Sequence, residues 1–287
     1  MVSRFRARWL ENWMAVVGGG VVFIFVMVAL FAPFLAPHSP TETGLSSPLM
    51  PPVWMDGGSW KYLLGTDELG RDILSRLIYG ARISLVIGLV SVGIALGIGV
   101  FLGCLAGYYG GILDYILGMV VDILLSLPAI LLAIVIVAIL GPSLTNAIIA
   151  IGIVRVPVYI RLVRASVLQE KRREYVMASR LCGASNFRLM FVVILPNCMG
   201  PVIVQSTMGF ASAILEAAGL SFLSLGAQPP SPEWGAMLRN TLQYLSSAPW
   251  VAIFPGLAIF FTVTGFNLMG DGLMDILDPK RERRLGR

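Results

Sequence analysis

Long apolar stretches alternate with short polar intervals along almost the whole chain. Residues 13–37 contain no charged side chain, and further apolar stretches run from residue 83 to the Gly-Tyr-Tyr-Gly-Gly turn at 107–111 and over residues 112–140, 144–160, 199–225 and 250–269. A membrane-spanning helix needs about 20 predominantly apolar residues. The pattern therefore predicts an all-α integral membrane protein with six transmembrane helices, the third of them kinked at Pro128.

Glycines recur at helical spacing in the second apolar stretch. Gly93 and Gly97 are four residues apart, and Gly99, Gly103 and Gly107 repeat that spacing. Small residues four apart on one helix allow a neighbouring helix to approach closely in a membrane. The second span is therefore predicted to pack inside a helix bundle rather than to line a pore.

The first 83 residues are predicted to form an anchor helix followed by an external loop. The apolar stretch at 13–37 is too long for the apolar region of a cleaved signal peptide. Prolines and glycines predict irregular structure in the first part of residues 38–82. Asp67 is then predicted to cap an amphipathic helix on the membrane surface, whose apolar face carries Ile73, Leu74, Leu77 and Ile78. Residues 84–287 follow as a core of five spans.

Composition and charge agree with this topology. The chain is 57% hydrophobic and 13% charged, whereas soluble domains carry about 25% charged residues. Sixteen of the 21 lysines and arginines fall in three segments: three at residues 4–8, eight at 155–188 and five at 280–287. Cytoplasmic loops collect such residues, so all three segments and both termini are predicted to be cytoplasmic. Only Glu170 and Glu174 oppose the basic residues of the second segment, and no nucleic-acid partner is predicted.

The interval from Arg161 to Asn197 is the only long polar stretch in the second half of the chain. Helix-forming residues run from 166 to 182, and Gly183 favours the left-handed conformation that ends a helix. Ser185 or Asn186 is suited to cap a second helix. We predict two short helices joined by a tight turn, a shape that fits a groove on a partner protein. The alternative is a solvated basic loop that only fixes topology.

Glu216 is a single carboxylate inside the fifth span. An ionisable group at membrane depth is costly and usually faces a cavity or a partner. One interpretation places Glu216 on a translocation path, and the alternative makes it a structural residue hydrated near the outer surface. The three cysteines have neither metal-binding spacing nor a disulfide pattern, and His38 is assigned no role.

The sequence lacks the motifs of an energy source. A phosphate-cradling loop requires a lysine directly after a glycine, and none of the three lysines, Lys61, Lys171 and Lys280, follows one. The chain also lacks the His/Asp/Glu relay of a proton-driven carrier. We therefore predict a transport subunit with no cofactor or enzymatic activity of its own, driven by another polypeptide. A stand-alone channel or secondary carrier is the alternative.

Residues 177–196 resemble the EAA motif of bacterial ABC importer permeases, Glu-Ala-Ala-x3-Gly-x9-Ile-x-Leu-Pro. The chain has Met177, Ser179 and Val193 where that motif has glutamate, alanine and isoleucine. Further blocks resemble the peptide/nickel transport group, most closely its dipeptide permease subunit of the second type, and they lie at residues 65–76, 80–84, 226–235 and 267–272.

The resemblance implies a type I ABC importer permease fold with a coupling insert at about residues 164–197, in a multi-pass protein of the bacterial inner membrane. The implied partners are a second homologous permease, two cytoplasmic ATPases that bind ATP and Mg, an extracytoplasmic solute-binding protein and membrane lipid. The implied ATPase-docking residues are Tyr175, Met177, Ala178, Ser179, Gly183, Ala184, Leu195 and Pro196. The implied cargo is dipeptides or short oligopeptides, with nickel chelates, haem or glutathione as alternatives.

Overall fold

The computed structural model describes residue 9, residues 12–239 and residues 241–277, and every regular element in these ranges is a helix. The helices are α1 (Trp13–Leu30), α2 (Ala32–Leu35), α3 (Ile73–Tyr109), α4 (Gly111–Leu125), α5 (Ala129–Leu140), α6 (Leu144–Glu170), α7 (Glu174–Leu181), α8 (Asn186–Arg188), α9 (Met199–Phe222), α10 (Trp234–Arg239) and α11 (Trp250–Leu277). A π-helical turn (Leu189–Ile194) and a 3-10 turn (Leu195–Cys198) join α8 to α9, and another 3-10 turn covers Leu242–Tyr244. The predicted all-α class is confirmed, while the basic residues of both termini lie outside the described ranges.

Five helical segments of the described chain are long and apolar enough to cross a membrane, and a sixth results if α4 and α5 count as one span. These two helices meet at an angle of 93°. Pro128 lacks an amide hydrogen and disfavours helical geometry at the residue before it. A bend is therefore confirmed at the predicted position, Pro128, but it separates two helices instead of kinking one continuous span.

The amphipathic surface helix predicted at the end of the first 83 residues is not a separate element. Its residues form the first turns of α3, which continues without interruption to Tyr109. None of residues 73–81 is fully exposed, and the side of the helix with Ser75, Arg76, Gly80 and Ala81 is buried, so this stretch packs against the protein with the side opposite to the predicted apolar face. The N-cap is Asp72, which accepts a hydrogen bond from the Ser75 amide at 3.0 Å, and not Asp67 as predicted.

The regularly spaced glycines of α3 fall into two groups, those in close contact with another helix and those without such a contact. A Cβ atom added to Gly99 would lie 2.4 Å from the Tyr159 Cβ, and one added to Gly103 would lie 2.7 Å from the Ile160 carbonyl oxygen. These glycines, with Gly107, form the predicted close contact, and the neighbour is α6. Gly93 and Gly97 have no described atom within 4 Å of that position, so they make no such contact within this chain.

α3 connects two ends of the molecule, because its 37 residues extend over about 55 Å. Its first turns contact residues 38–72 and 226–239, which we call the cap. Its last turn contacts residues 171–188, which we call the insert. Between them, aromatic rings pack where three spans meet: Phe210 of α9 stacks on Phe266 of α11 at 4.2 Å, and Phe25 of α1 meets Phe266 edge-on at 5.9 Å.

Candidate functional site

The insert begins where α6 ends, and it is fastened to the last turn of α3. Lys171 Nζ donates hydrogen bonds to the carbonyl oxygens of Gly107 at 2.7 Å and Tyr108 at 3.3 Å. A cation at the C-terminus of a helix satisfies carbonyls that have no partner inside the helix. The single helix predicted over residues 166–182 is interrupted at residues 171–173, where the chain turns toward α3, and α7 begins at Glu174.

The turn after α7 has the predicted backbone geometry. Gly183 has φ of +82°, a conformation that favours glycine. The Ala184 amide donates to the Ser179 carbonyl at 3.2 Å and closes the last turn of α7. Ser185 Oγ accepts a hydrogen bond from the Arg188 amide at 3.4 Å, which confirms the predicted cap of the next helix.

The second helix of the insert is not a separate short helix, contrary to the prediction. From residue 186 the chain stays helical through the π and 3-10 turns into α9, so one segment of 37 residues reaches residue 222. Pro196 has no amide hydrogen to give to an α-helical ladder. The change to π and 3-10 spacing around it keeps the chain helical across this position. The end of the insert and the fifth span therefore form one continuous helical segment.

One face of α7 is anchored and the other is open. Val176 is buried under the helix, while Tyr175, Met177, Ala178 and Gly183 are exposed. Tyr175 donates a hydrogen bond from its hydroxyl to Glu170 Oε1 at 2.6 Å. The pKa of Tyr175 is raised to about 12, mainly because desolvation disfavours the phenolate and secondly because the hydroxyl bonds to a carboxylate. Tyr175 is therefore a neutral donor at physiological pH, and four of the residues implied by the resemblance are exposed to solvent.

The other four residues implied for docking are less exposed or lie apart. Ser179 and Ala184 are half-buried beside the turn. Leu195 and Pro196 belong to the 3-10 turn at the start of the fifth span, and Leu195 packs against the buried core. The docking residues at 175–184 and those at 195–196 are therefore connected along the helical segment that begins at residue 186, and they do not share one surface.

Two docking candidates were missed by the sequence reasoning. Leu181 at the end of α7 is 90% exposed, and Phe187 in α8 is 69% exposed. Both are large apolar side chains within an otherwise polar interval, and this contrast in the sequence could have identified them as docking candidates. Together with Met177 they give the insert three large apolar side chains that are exposed within this chain.

Two ion pairs link the basic interval to α4. Arg164 forms a bidentate pair with Asp114, with Nη2 at 2.7 Å from Oδ2, and Arg161 pairs with Asp122. Besides Glu170 and Glu174 within the interval, two carboxylates of α4 therefore oppose the basic residues. The Arg161–Asp122 pair is largely exposed and contributes little energy. The bidentate, less exposed Arg164–Asp114 pair is the stronger connection between α4 and α6.

Glu216 is paired inside the bundle. Its Oε1 atom lies 2.9 Å from Nη2 of Arg155, and both side chains are mostly buried. The charge pattern predicts a cytoplasmic position for Arg155, but this residue lies in the middle of α6. Within residues 12–239 and 241–277, no cluster of three or more His, Cys, Asp or Glu residues is placed to hold a metal ion.

At the opposite end, the cap is organised by buried charges. Arg71 Nε donates to Asp67 Oδ2 at 2.6 Å, and Arg76 Nε lies 3.4 Å from the same oxygen. His38, which was assigned no role, lies with Nδ1 3.3 Å from Asp72 Oδ2 and has its ring stacked on Tyr62 at 5.0 Å. The block at residues 65–76 therefore fixes the cap to the first turn of α3.

The block at residues 226–235 completes the cap. Glu233 is 1% exposed, and its carboxylate accepts the amide hydrogens of Gly235 at 3.0 Å and Ala236 at 2.8 Å. Burial raises the pKa of the Glu233 carboxyl, and these two amide donors act in the opposite direction. Trp234 Nε1 donates to the Leu77 carbonyl at 3.1 Å, over Gly80, where a Cβ atom would lie 2.3 Å from the indole nitrogen. This block is thus explained by packing on α3.

Comparison with known families agrees with this geometry. The family described as "binding-protein-dependent transport system inner membrane component" matches residues 99–283, and the N-terminal transmembrane domain of oligopeptide transport permease C matches residues 1–52. A chain of the MetNI methionine ABC transporter, solved in inward-facing conformations, superposes with a TM-score of 0.58 at 21% identity, over 72% of this chain and 98% of that chain. The superposition supports a type I importer fold.

Sequence relatives cover nearly the whole chain. The dipeptide transport system permease protein DppC of Escherichia coli is 57% identical over 94% of this chain and 90% of its own length. The di/tripeptide permease DppC of Pseudomonas aeruginosa is 56% identical over 91% of this chain and 87% of its own length. The glutathione permease GsiD of Salmonella typhimurium is 44% identical over 97% and 92%. The chain therefore belongs to the family of binding-protein-dependent transport system inner membrane components, the non-catalytic permease subunits of ABC importers.

Proposed function

We propose that this chain is one of two permease subunits in an ATP-driven importer of dipeptides and tripeptides. The observation that carries the proposal is identity of 56–57% with permeases named for di- and tripeptide transport, over more than 90% of the chain. The glutathione permease is 44% identical over a similar share. Glutathione is itself a short peptide derivative, so it is the competing cargo.

In this assembly the insert is the docking element for an ATPase that binds ATP and Mg. The support is that Met177, Leu181 and Phe187, which lie close in sequence to the Gly183 turn, are large apolar side chains exposed within this chain. Tyr175, Ala178, Ser179 and Ala184 would line the contact around these side chains, and Leu195 and Pro196 would carry its movement into the fifth span.

The attachments of the insert suggest how its movement would reach the membrane. Lys171 holds it to α3, and Tyr108 of α3 donates a hydrogen bond to Asn186 Oδ1 at 2.7 Å. Arg164, nearly two turns before the end of α6, is held to α4 through Asp114. When the ATPases close, the helices α3, α4 and α6 would move with the insert as one body and change access to the pathway between the two permeases.

Uptake by the reconstituted importer tests the cargo. Proteoliposomes containing both permeases and both ATPases, with binding protein and ATP supplied on the appropriate sides, should accumulate a labelled dipeptide. Unlabelled tripeptide should compete, and glutathione should compete at least tenfold less well. Preferential uptake of glutathione would reject the cargo assignment but keep the importer role, whereas ATP-independent uptake would favour a channel or secondary carrier.

Cysteine labelling tests the proposed topology, in which the cap is external and the insert and both termini are cytoplasmic. In a background without Cys104, Cys182 and Cys198, the exposed positions Asp56→Cys and Arg173→Cys are treated with a membrane-impermeant maleimide on spheroplasts. Position 56 should react directly, and position 173 should react only after permeabilisation. Direct labelling at position 173 would contradict the six-span topology.

A further inference from the structure

An open cavity of about 690 Å³ follows one face of α4. The α4 positions that line it recur every three or four residues, from Gly111 at the insert end of the molecule to Ser126 just beyond the helix, as one helix face requires. Arg164 of α6 completes the lining. Pockets that bind small ligands have volumes of about 300–1,000 Å³. The cavity is therefore large enough for a dipeptide.

The wall of this cavity is low at its centre. Gly118 lies midway along the lining face, and no described atom lies within 4 Å of a Cβ atom added to it. The same holds for Gly111 at the end of the cavity. The space beside α4 is therefore open to something that does not belong to the described part of this chain.

The cavity contains an accessible charged group. Asp122 belongs to its lining and pairs through Oδ1 with Nη2 of Arg161, and these side chains are 70% and 57% exposed. Asp114 lines the cavity as well, but both of its oxygens bond to Arg164. Oδ2 of Asp122 has no hydrogen bond to the described part of the chain. This oxygen is therefore free to accept a hydrogen bond from a cationic group that enters the cavity.

The pair of Arg161 and Asp122 lies at membrane depth. The 27 residues of α6 extend over about 40 Å, whereas the hydrocarbon core of a bilayer is about 30 Å thick. Arg161 precedes the last residue of α6, Glu170, by about 14 Å. Even if the whole excess of about 10 Å projects at the insert end, the backbone of Arg161 lies within the hydrocarbon thickness. Charged side chains at such depth face protein or a water-filled cavity rather than lipid.

We propose that this cavity is the inner end of the peptide route, and that Asp122 Oδ2 accepts a hydrogen bond from the ammonium group of the departing peptide. A short peptide carries the cation that this oxygen lacks, and hydrogen bonds between charged groups are stronger than neutral ones. A helix of the second permease is the competing occupant of the cavity. The inference rests on the proposed function and adds a solute-contacting residue to it.

Cysteine labelling tests whether the cavity belongs to the route. Gly118→Cys is assembled into the importer in the background without native cysteines, and inside-out vesicles are treated with a membrane-impermeant maleimide. Labelling should be fast without nucleotide and at least tenfold slower after trapping with ATP and vanadate, because closure of the ATPases would close the inner end of the route. Absence of labelling in both states would mean that the second permease or lipid covers the cavity. Equal labelling in both states would place the cavity outside the route. Either result overturns the proposal.

Protection by peptide tests the role of Asp122. In the nucleotide-free importer, alanyl-alanine should slow the labelling of Gly118→Cys at least threefold at a concentration at which its N-acetyl derivative has no effect. Asp122→Asn should abolish this protection, whereas Asp122→Glu should retain it. Arg161→Gln should retain it too, because this variant breaks the ion pair but leaves the carboxylate in place.

A structural role predicts a different pattern. If the pair only joins α4 to α6, Asp122→Asn and Arg161→Gln have the same effect on labelling, and the acetyl group on the peptide makes no difference. Either of these results, or a lack of protection by alanyl-alanine, rejects the contact between Asp122 and the peptide.

Controls separate this inference from the proposed function. Arg173→Cys, at an exposed position of the insert away from the cavity, should be labelled at a rate that the peptide does not change. Co-purification of the ATPases verifies that each variant is assembled. Failure of the wild-type importer to take up alanyl-alanine would reject the proposed cargo. Wild-type uptake without the expected protection would reject only the role of Asp122.

Discussion

Gly183→Val is expected to release the ATPases from the assembled importer and to abolish uptake, while the permease remains in the membrane. Gly183 has φ of +82°, which a β-branched residue adopts only with strain. Such strain typically costs about 1–3 kcal/mol, equivalent to a roughly 5- to 150-fold change in an equilibrium constant. No described atom lies within 4 Å of an added Cβ atom. The substitution therefore acts on the turn and on whatever docks there, and not on the packing of the spans.

Two variants separate docking from general backbone strain. Gly44 in the cap also has positive φ, +71°, and no described atom within 4 Å of an added Cβ atom. Gly44→Val should keep the ATPases bound, because it carries similar strain at the other end of α3. Gly183→Asn should retain much of the uptake, since asparagine tolerates the left-handed conformation.

The measurement is co-purification of the ATPases with the tagged permease, together with dipeptide uptake. Full ATPase retention and normal uptake by Gly183→Val would mean that the insert only fixes topology, as the basic-loop alternative holds. Loss of the permease itself from the membrane would instead assign Gly183 a role in folding.

Features that follow from local rules were predictable from the sequence. The spans follow from long apolar stretches, the bend at Pro128 from its missing amide hydrogen, and the Gly183 turn from a helix that must end before a capping serine. Each needs information from only a few neighbouring residues. The candidate docking residues of the insert could be predicted for the same reason, although the prediction does not include Leu181 and Phe187.

Pairings between distant residues could not be predicted in this way. Arg155 and Glu216 are 61 residues apart, and Arg164 and Asp114 are 50 apart. Periodicity tells which residues share a face of one helix, but not which helix that face meets. Arg155 was therefore grouped by charge with a cytoplasmic segment.

The error at the start of α3 has a related cause. An apolar stripe at residues 73–78 predicts one buried face, and a membrane surface satisfies that pattern as well as a protein does. The structure leaves Leu74, Leu77 and Ile78 of that stripe half-buried. It buries the opposite face more completely, under the cap, through Arg76 and its contacts with Asp67 and the Pro40 carbonyl. A polar side chain whose partners come from a distant loop looks exposed in the sequence.

Gly103→Val is expected to have the second large effect, a loss of folded permease. A Cβ atom at Gly103 would lie 2.7 Å from the Ile160 carbonyl oxygen and 2.9 Å from the Val163 Cβ. Backbone and branched side chains cannot yield easily, so α6 would have to move away from α3. Overpacking of this kind costs about 1–3 kcal/mol, and valine adds two further methyl groups. The separation of α3 from α6 would also weaken the hydrogen bond from Lys171 Nζ to the Gly107 carbonyl oxygen.

The open glycines provide matched controls for this effect. Gly97 in α3 and Gly256 in α11 have no described atom within 4 Å of an added Cβ atom. Gly97→Val and Gly256→Val should therefore leave the amount of inserted permease and its melting temperature in detergent close to wild type, while Gly103→Val lowers both. If Gly103→Val matches these controls, α3 and α6 do not rely on close contact at this glycine. If a control variant folds normally but loses the second permease on purification, its glycine lies at the subunit interface, and the packing argument for Gly103 still holds.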